Sequence, residues 1–80
     1  MTAVPLYCFV EGDSLGVLVL VDERELVADL AQHAQQAAAV RVAPRQHTVV
    51  WAHGAVLDRD ATVKEVGLAA LDRIDIVEGR

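Results

Sequence analysis

The residues of this 80-residue chain that could do chemistry are three histidines, one cysteine and twelve carboxylates. Their spacing argues against most of it. His47 and His53 fall six apart on one extended run, about 20 Å from one another at roughly 3.3 Å per residue, too far to share a metal ion. His33 sits between Gln32 and Ala34 in a helical stretch and reads as a solvated residue. No Cys or carboxylate stands at ligand spacing from any of the three. Cys8 has no ordered base beside it, and a lone Cys on a strand packs as a small apolar side chain. Ser14 lies in a turn without the motif of a nucleophile elbow. Asp58, Asp60 and Glu65 lack the glycine and spacing of a calcium loop, and read as a solvated loop with a helix cap. Gly12, Gly16 and Gly54 are isolated turn or close-contact residues, not a phosphate cradle. No catalytic, cofactor-binding or metal site is expected in this chain.

Composition bounds what remains. The chain is expected to be a single domain over residues 1–80, and a chain of this size buries only about 60–65% of its unfolded surface, so its core is thin. Yet 54% of the residues are apolar, which argues against disorder and leaves more apolar surface than one small core can hide. The net charge is −5, with acids spread along the chain. Such a domain repels phosphate backbones and offers no basic patch to anionic lipid, so neither nucleic acid nor membrane is expected as a partner. The apolar run Leu15 to Val21 is too short to span a bilayer. A single cysteine permits no internal disulfide, and no signal peptide is apparent. Both fit a cytoplasmic protein.

The elements follow from periodicity and punctuation. Val4 to Val10 reads as a strand, with Pro5 near its start, where a missing N–H is tolerated. Glu11 to Ser14 is a turn, and Leu15 to Val21 a second strand that completes a hairpin. Asp22, with Glu25 three residues on, has the spacing of a capping box and is expected to start a helix running to about Ala38. Its apolar stripe would carry Leu26, Leu30, Ala34 and Ala37, widened by Val27, Ala31 and Ala38. Val40 to Pro44 is an extended exit. Thr48 to His53 is a third strand, His53-Gly54 a tight turn, and Ala55 to Leu57 a short fourth strand. Thr62 and Glu65 form a second capping box opening one helical turn that ends at Gly67, after which Leu68 points inward. Arg73 to Val77 is the last strand.

One helix covers only one face of a sheet, and here too many strand faces are apolar. On the second strand Val17, Val19 and Val21 point one way, Leu18 and Leu20 the other. If Val50, Ile74 and Ile76 point to the core, then Val49, Trp51 and Val77 gather on the uncovered face. Exposed patches of this kind usually mark interfaces, and Trp is enriched at their hot spots. The alternative is that Trp51 folds over the sheet edge onto Pro44 or Arg41.

The order of elements is that of the α+β β-grasp, or ubiquitin-like, fold: a mixed sheet of four to five strands with one main helix packed on one face. The segment from Trp51 to Val77 resembles the second half of ubiquitin in its turn glycine, its Leu57-Asp58, its Thr-x-x-Glu-x-Gly-Leu and its closing Ile-Asp-Ile-Val. The chain ends Glu78-Gly79-Arg80, without the Gly-Gly of a covalent modifier, so modifier and sulfur-carrier roles are not expected. The whole chain resembles the toluene monooxygenase system protein B family, the small ubiquitin-like subunits of bacterial toluene and alkene monooxygenases. Pro5, Phe9, Asp13, the strand Leu18 to Asp22, the segment Arg41 to Pro44, Gly67-Leu68 and Ile74 to Ile76 carry the resemblance. It departs in the alanine-rich helix and in Val40, where an Arg is expected.

That resemblance implies a non-catalytic small (gamma) subunit of a soluble hydroxylase. Its partners would be a large chain holding a carboxylate-bridged diiron centre and a mid-sized companion chain, with a reductase, a ferredoxin and an effector protein completing the system. The diiron centre would belong to the large chain, in keeping with the lack here of any Glu-x-x-His ligand pair. Val49, Trp51 and Val77 would meet the large chain, with Asp13, Arg41 and Arg45 as rim contacts. The small cytosolic components of type VII secretion systems, of the YukD or EsaB kind, are a second ubiquitin-like family of similar length. They share a Pro-Arg after the helix, here Pro44-Arg45, but fit the amino-terminal motif less well.

Overall fold

A computed structural model describes residues 2–79, so Met1 and Arg80, the limits of the expected domain, lie outside it. The elements run β1 (Ala3–Val10), β2 (Val17–Asp22), α1 (Val27–Ala38), β3 (Thr48–Ala52), β4 (Ala55–Val56) and β5 (Arg73–Glu78). The strands form one mixed sheet in the order β2-β1-β5-β3-β4, in which β1 and β5 run parallel and every other pair antiparallel. The helix covers one face, as the β-grasp order requires.

Strand parity divides the sheet cleanly. Leu6, Cys8, Val19, Val21, Val50, Ile74 and Ile76 are buried under α1, together with Val27, Leu30, Ala31, Ala34 and Ala38 of the helix. Small alanines at the contact let α1 lie close to the strands. Val63 and Leu68, from the segment before β5, close the core.

Several expected boundaries move, each for a reason outside the local sequence. The second strand begins at Val17, because Leu15 and Gly16 still belong to the turn. The helix begins at Val27, five residues after Asp22. Asp22 and Glu25 do bond as a capping pair would, with the Asp22 N–H donating to Glu25 Oε1 at 3.1 Å and the Arg24 N–H to Asp22 Oδ1 at 2.8 Å. They close a turn instead of a helix, because the carbonyls of Glu23 and Glu25 accept the N–H groups of Lys64 and Val63. The free donors of the first helical turn then find tertiary acceptors: Val27 N–H reaches the Ala61 carbonyl and Ala28 N–H the Arg59 carbonyl. The buried stripe is rotated accordingly, leaving Leu26 and Ala37 exposed and drawing in Gln35.

The helix ends at Ala38 without a glycine, and Arg41 and Val42 turn back by donating to the Ala38 carbonyl. This is a turn where an extended exit was expected. His53 (φ 52) and Gly54 (φ 76) form the two-residue hairpin between β3 and β4, so β3 stops at Ala52 and Leu57 falls beyond β4. Thr62 and Glu65 bond reciprocally, at 2.9 and 3.1 Å. The segment they open is a turn rather than regular helix, and Gly67 (φ 76) takes its left-handed exit.

Candidate functional site: the uncovered sheet face

The sheet face opposite α1 has no element of the described chain over it. Cross-strand register places Val49 directly opposite Val77 and Trp51 opposite Asp75. Trp51 is 41% exposed, and Val49 and Val77 are half-buried at its side. An open groove of about 570 Å³ runs along this face, lined by Trp51, His53, Gly54, Arg73, Asp75 and Val77. The alternative packing of Trp51 does not occur. Pro44 lines a separate groove with Gln35 and Gln36 of the helix, and Arg41 is engaged by Asp13.

The face extends further than Trp51. Beyond the Asp75 pair, Arg73 lies with its guanidinium 4.2 Å from the centroid of the Phe9 ring and bonds to Asp75 Oδ1 at 3.1 Å. This band of charge separates the Trp51 side from a second apolar area made by Tyr7 on β1 and by Leu18 and Leu20 on β2, which are 58% and 67% exposed. Sequence parity sets Leu18 and Leu20 opposite to Val17, Val19 and Val21 without deciding which set is buried, and the two leucines are not among the contact residues expected from the sequence. Their greater exposure follows from β2 being an edge strand, which only the sheet order reveals.

Asp13, Arg41 and Arg45 come together at one end of the sheet. Arg41 donates to both carboxylate oxygens of Asp13 at 2.8–3.0 Å, and the Asp13 side chain is only 1% exposed. The Arg41 guanidinium, with the Leu15 N–H at 3.0 Å, holds the Asp13 carboxyl below the usual carboxylate range. Arg45 donates from Nη1 to the Glu11 carbonyl at 2.7 Å, and its backbone exchanges hydrogen bonds with the buried Gln35 amide. The Glu78 N–H donates to Glu11 Oε1 at 2.8 Å, which sets this cluster beside the end of the sheet that carries Val49 and Val77.

The candidate chemical residues are dispersed. His33 Nε2 pairs with Glu25 Oε2 at 2.8 Å and His53 Nε2 with Asp72 Oδ2 at 2.9 Å, each a single exposed His–carboxylate contact. The Glu25 carboxyl is lowered first by the Asp22 N–H and then by His33, and the Asp72 carboxyl chiefly by the Ala69 N–H. Among the described residues no three His, Cys, Asp or Glu side chains are placed to hold a metal ion. Cys8 is fully buried and desolvation pushes its thiol up to about 12, far from the thiolate that reacts or ligates. Asp58 closes its own turn by accepting the Asp60 N–H at 2.9 Å. Among the described residues no helix is long and apolar enough to cross a membrane.

Solved structures confirm the architecture. A ubiquitin from Caldiarchaeum subterraneum superposes with a TM-score of 0.76 at 15% identity, over 99% of this chain and 96% of that one. The ubiquitin-like domain of a Plasmodium falciparum protein gives 0.75 at 16%, over 98% and 100%. At such identities these two establish the ubiquitin-like fold alone. A chain in a toluene 4-monooxygenase HD complex with the inhibitor 4-bromobenzoate is nearer, with a TM-score of 0.88 and 32% identity over 98% of this chain and all of that one. No curated protein matches the sequence. The family model of toluene-4-monooxygenase system protein B (TmoB) matches residues 3–77. With that match and the 32% identity to a chain of the monooxygenase complex, the chain belongs to the toluene-4-monooxygenase system protein B family.

Proposed function

We propose that this chain is the non-catalytic small subunit of a soluble toluene- or alkene-type diiron monooxygenase hydroxylase, and that it docks on the large chain and supports assembly. The observation that carries the docking reading is the exposed Trp51, flanked by Val49 and Val77 on the sheet face that α1 leaves bare. Asp13, Arg41 and Arg45 form its rim at the adjoining end of the sheet. Membership of the family supports the choice of a monooxygenase over the secretion-system resemblance. The iron that activates oxygen in such a hydroxylase would be held by the large chain, and the mid-sized chain would complete the assembly in the cytoplasm. This chain takes part in no bond-making step; its contribution is a rigid apolar surface with charged margins.

A native pull-down with this chain as bait tests the reading. The expected recovery is a large iron-containing chain together with a mid-sized helical chain. Recovery of a membrane ATPase in their place would overturn it and return the chain to the secretion-system class.

A further inference from the structure

Strand β2 is an edge of the sheet, and its outward hydrogen-bonding groups can be identified from the neighbouring ladders. The Tyr7 N–H donates to the Asp72 carbonyl and the Pro5 carbonyl accepts from the Leu71 N–H, so Pro5 and Tyr7 turn their backbone toward β5. Val4, Leu6 and Cys8 therefore face β2, where their partners are Val21, Val19 and Val17. The backbone N–H and C=O groups of Leu18 and Leu20 point the other way, off the edge of the sheet. Their side chains lie on the bare face.

Natural edge strands are usually blunted by charge, proline, bulges or short length. The opposite edge, β4, has only two residues, Ala55–Val56. The β2 edge has no such protection between Val17 and Val21, where the sequence is Val-Leu-Val-Leu-Val. That run reads identically in both directions. Set antiparallel to itself about a twofold axis through Val19, it places Val17 opposite Val21 and Leu18 opposite Leu20 of the other copy. Leu18 and Leu20 are the residues with open backbone groups, so in this register each Leu18–Leu20 pair exchanges both of its hydrogen bonds. An axis perpendicular to the sheet keeps both helices on one side. The exposed leucines of the two copies then gather on the other, beside Tyr7, which is the cross-strand neighbour of Leu18. The contact is isologous and closed.

We infer that the β2 edge is a self-pairing surface, whose partner is the β2 edge of a second copy of this chain in antiparallel register about Val19. It goes beyond the docking reading and uses a different edge of the sheet: β1 and β5 lie between β2 and the strand that carries Trp51. Each copy carries a net charge of −5 while the paired segment carries none, so added salt strengthens the pairing by screening repulsion between the copies.

The test is sedimentation equilibrium of the full chain over a wide concentration range at low and moderate salt, with amide exchange read at Leu18 and Leu20. The expected result is a monomer–dimer equilibrium favoured by salt, with those two amides protected as concentration rises. Leu20→Lys, a change at an outward and exposed side chain, raises the dissociation constant at least about tenfold and leaves the circular dichroism spectrum unchanged. Leu20→Pro does the same, because the N–H it removes has no intramolecular partner. A wild-type chain that stays monomeric throughout overturns the proposal. So does a dimer that survives both Leu20 variants but is lost in Trp51→Ala, since that dimer uses the docking face. Protection that appears only when an unrelated extended peptide is added assigns the edge to a different occupant and overturns it as well.

Discussion

Trp51 stands directly across from Asp75 in the β3–β5 ladder, so the most prominent aromatic of the bare face has a carboxylate as its cross-strand neighbour. Asp75 is itself held by Arg73, whose guanidinium covers the Phe9 ring. Apolar surface and fixed charge thus alternate across the face, the composition expected of a hot spot with a polar margin. For Trp51→Ala the expected outcome is a fold that stays intact, since Trp51 lies outside the buried core, and docking to the large chain weakened by more than about 2 kcal/mol. Calorimetric titration against the hydroxylase, beside a melting curve, checks both. A variant that docks normally, or that unfolds, would show that Trp51 is not an interface residue.

Gly16 is required by the ring that lies over it. A Cβ at Gly16 would sit 2.7 Å from Cζ and 2.8 Å from Cε2 of Phe9. Phe9 would have to swing away, and with it the stacking of Arg73. Gly16→Ala is expected to destabilise the fold by about 1–3 kcal/mol, the range for overpacking, and Phe9→Ala placed in the same background should recover part of the loss. Denaturant titration of the single and double variants measures this.

The Asp13–Arg41 pair joins the β1–β2 turn to the segment after the helix, across 28 positions of sequence. Its contribution has a definite pH dependence. The Asp13 carboxyl is lowered below its ordinary value, first by Arg41 and then by the Leu15 N–H. The stability it adds is therefore fully present above the unfolded value of about 3.9, and is lost as pH falls through the lower folded value. Asp22, Glu25, Glu65 and Asp72 are shifted in the same direction, so the chain as a whole should lose stability on acidification below about pH 4. Asp13→Asn is expected to be less stable than the wild type at neutral pH and to converge with it in acid. Urea unfolding at a series of pH values checks this, and a gap that fails to close in acid would contradict the assignment.

Cys8 should be inert in the folded chain. Its side chain is fully buried, and its thiol, raised to about 12, is protonated at neutral pH. Treatment with a thiol reagent at pH 8 is expected to leave the native protein unlabelled and to label it fully in denaturant. Rapid labelling without denaturant would mean that β1 opens locally.

Much of this fold is legible in the residues because it is local. The alternation of Ile74 and Ile76 with Asp75 fixes which side of the last strand is buried. Strand parity sets Val19 and Val21 against Leu18 and Leu20, and Val50 against Trp51, though on those two strands both sides are apolar and only the helix decides which is covered. The turns at His53-Gly54 and Gly67 follow from backbone conformations that few residue types accept. What tertiary structure alone decided concerns partners distant in sequence. Asp22 and Glu25 carry a helix-start signature, yet Val63 and Lys64 claim the carbonyls of the residues beside them, and the helix begins later, on acceptors from Arg59 and Ala61. Asp13 and Arg41 read separately as free rim charges and are in fact one ion pair. The alternation put Leu18 and Leu20 on the face opposite Val19 and Val21, but that this face is the bare one and that they stand at an open edge depended on the helix covering the valines and on β1 pairing with β5 on its other side. Periodicity reports what each residue needs from its surroundings; which distant segment supplies it is settled only when the strands and helix close around one core.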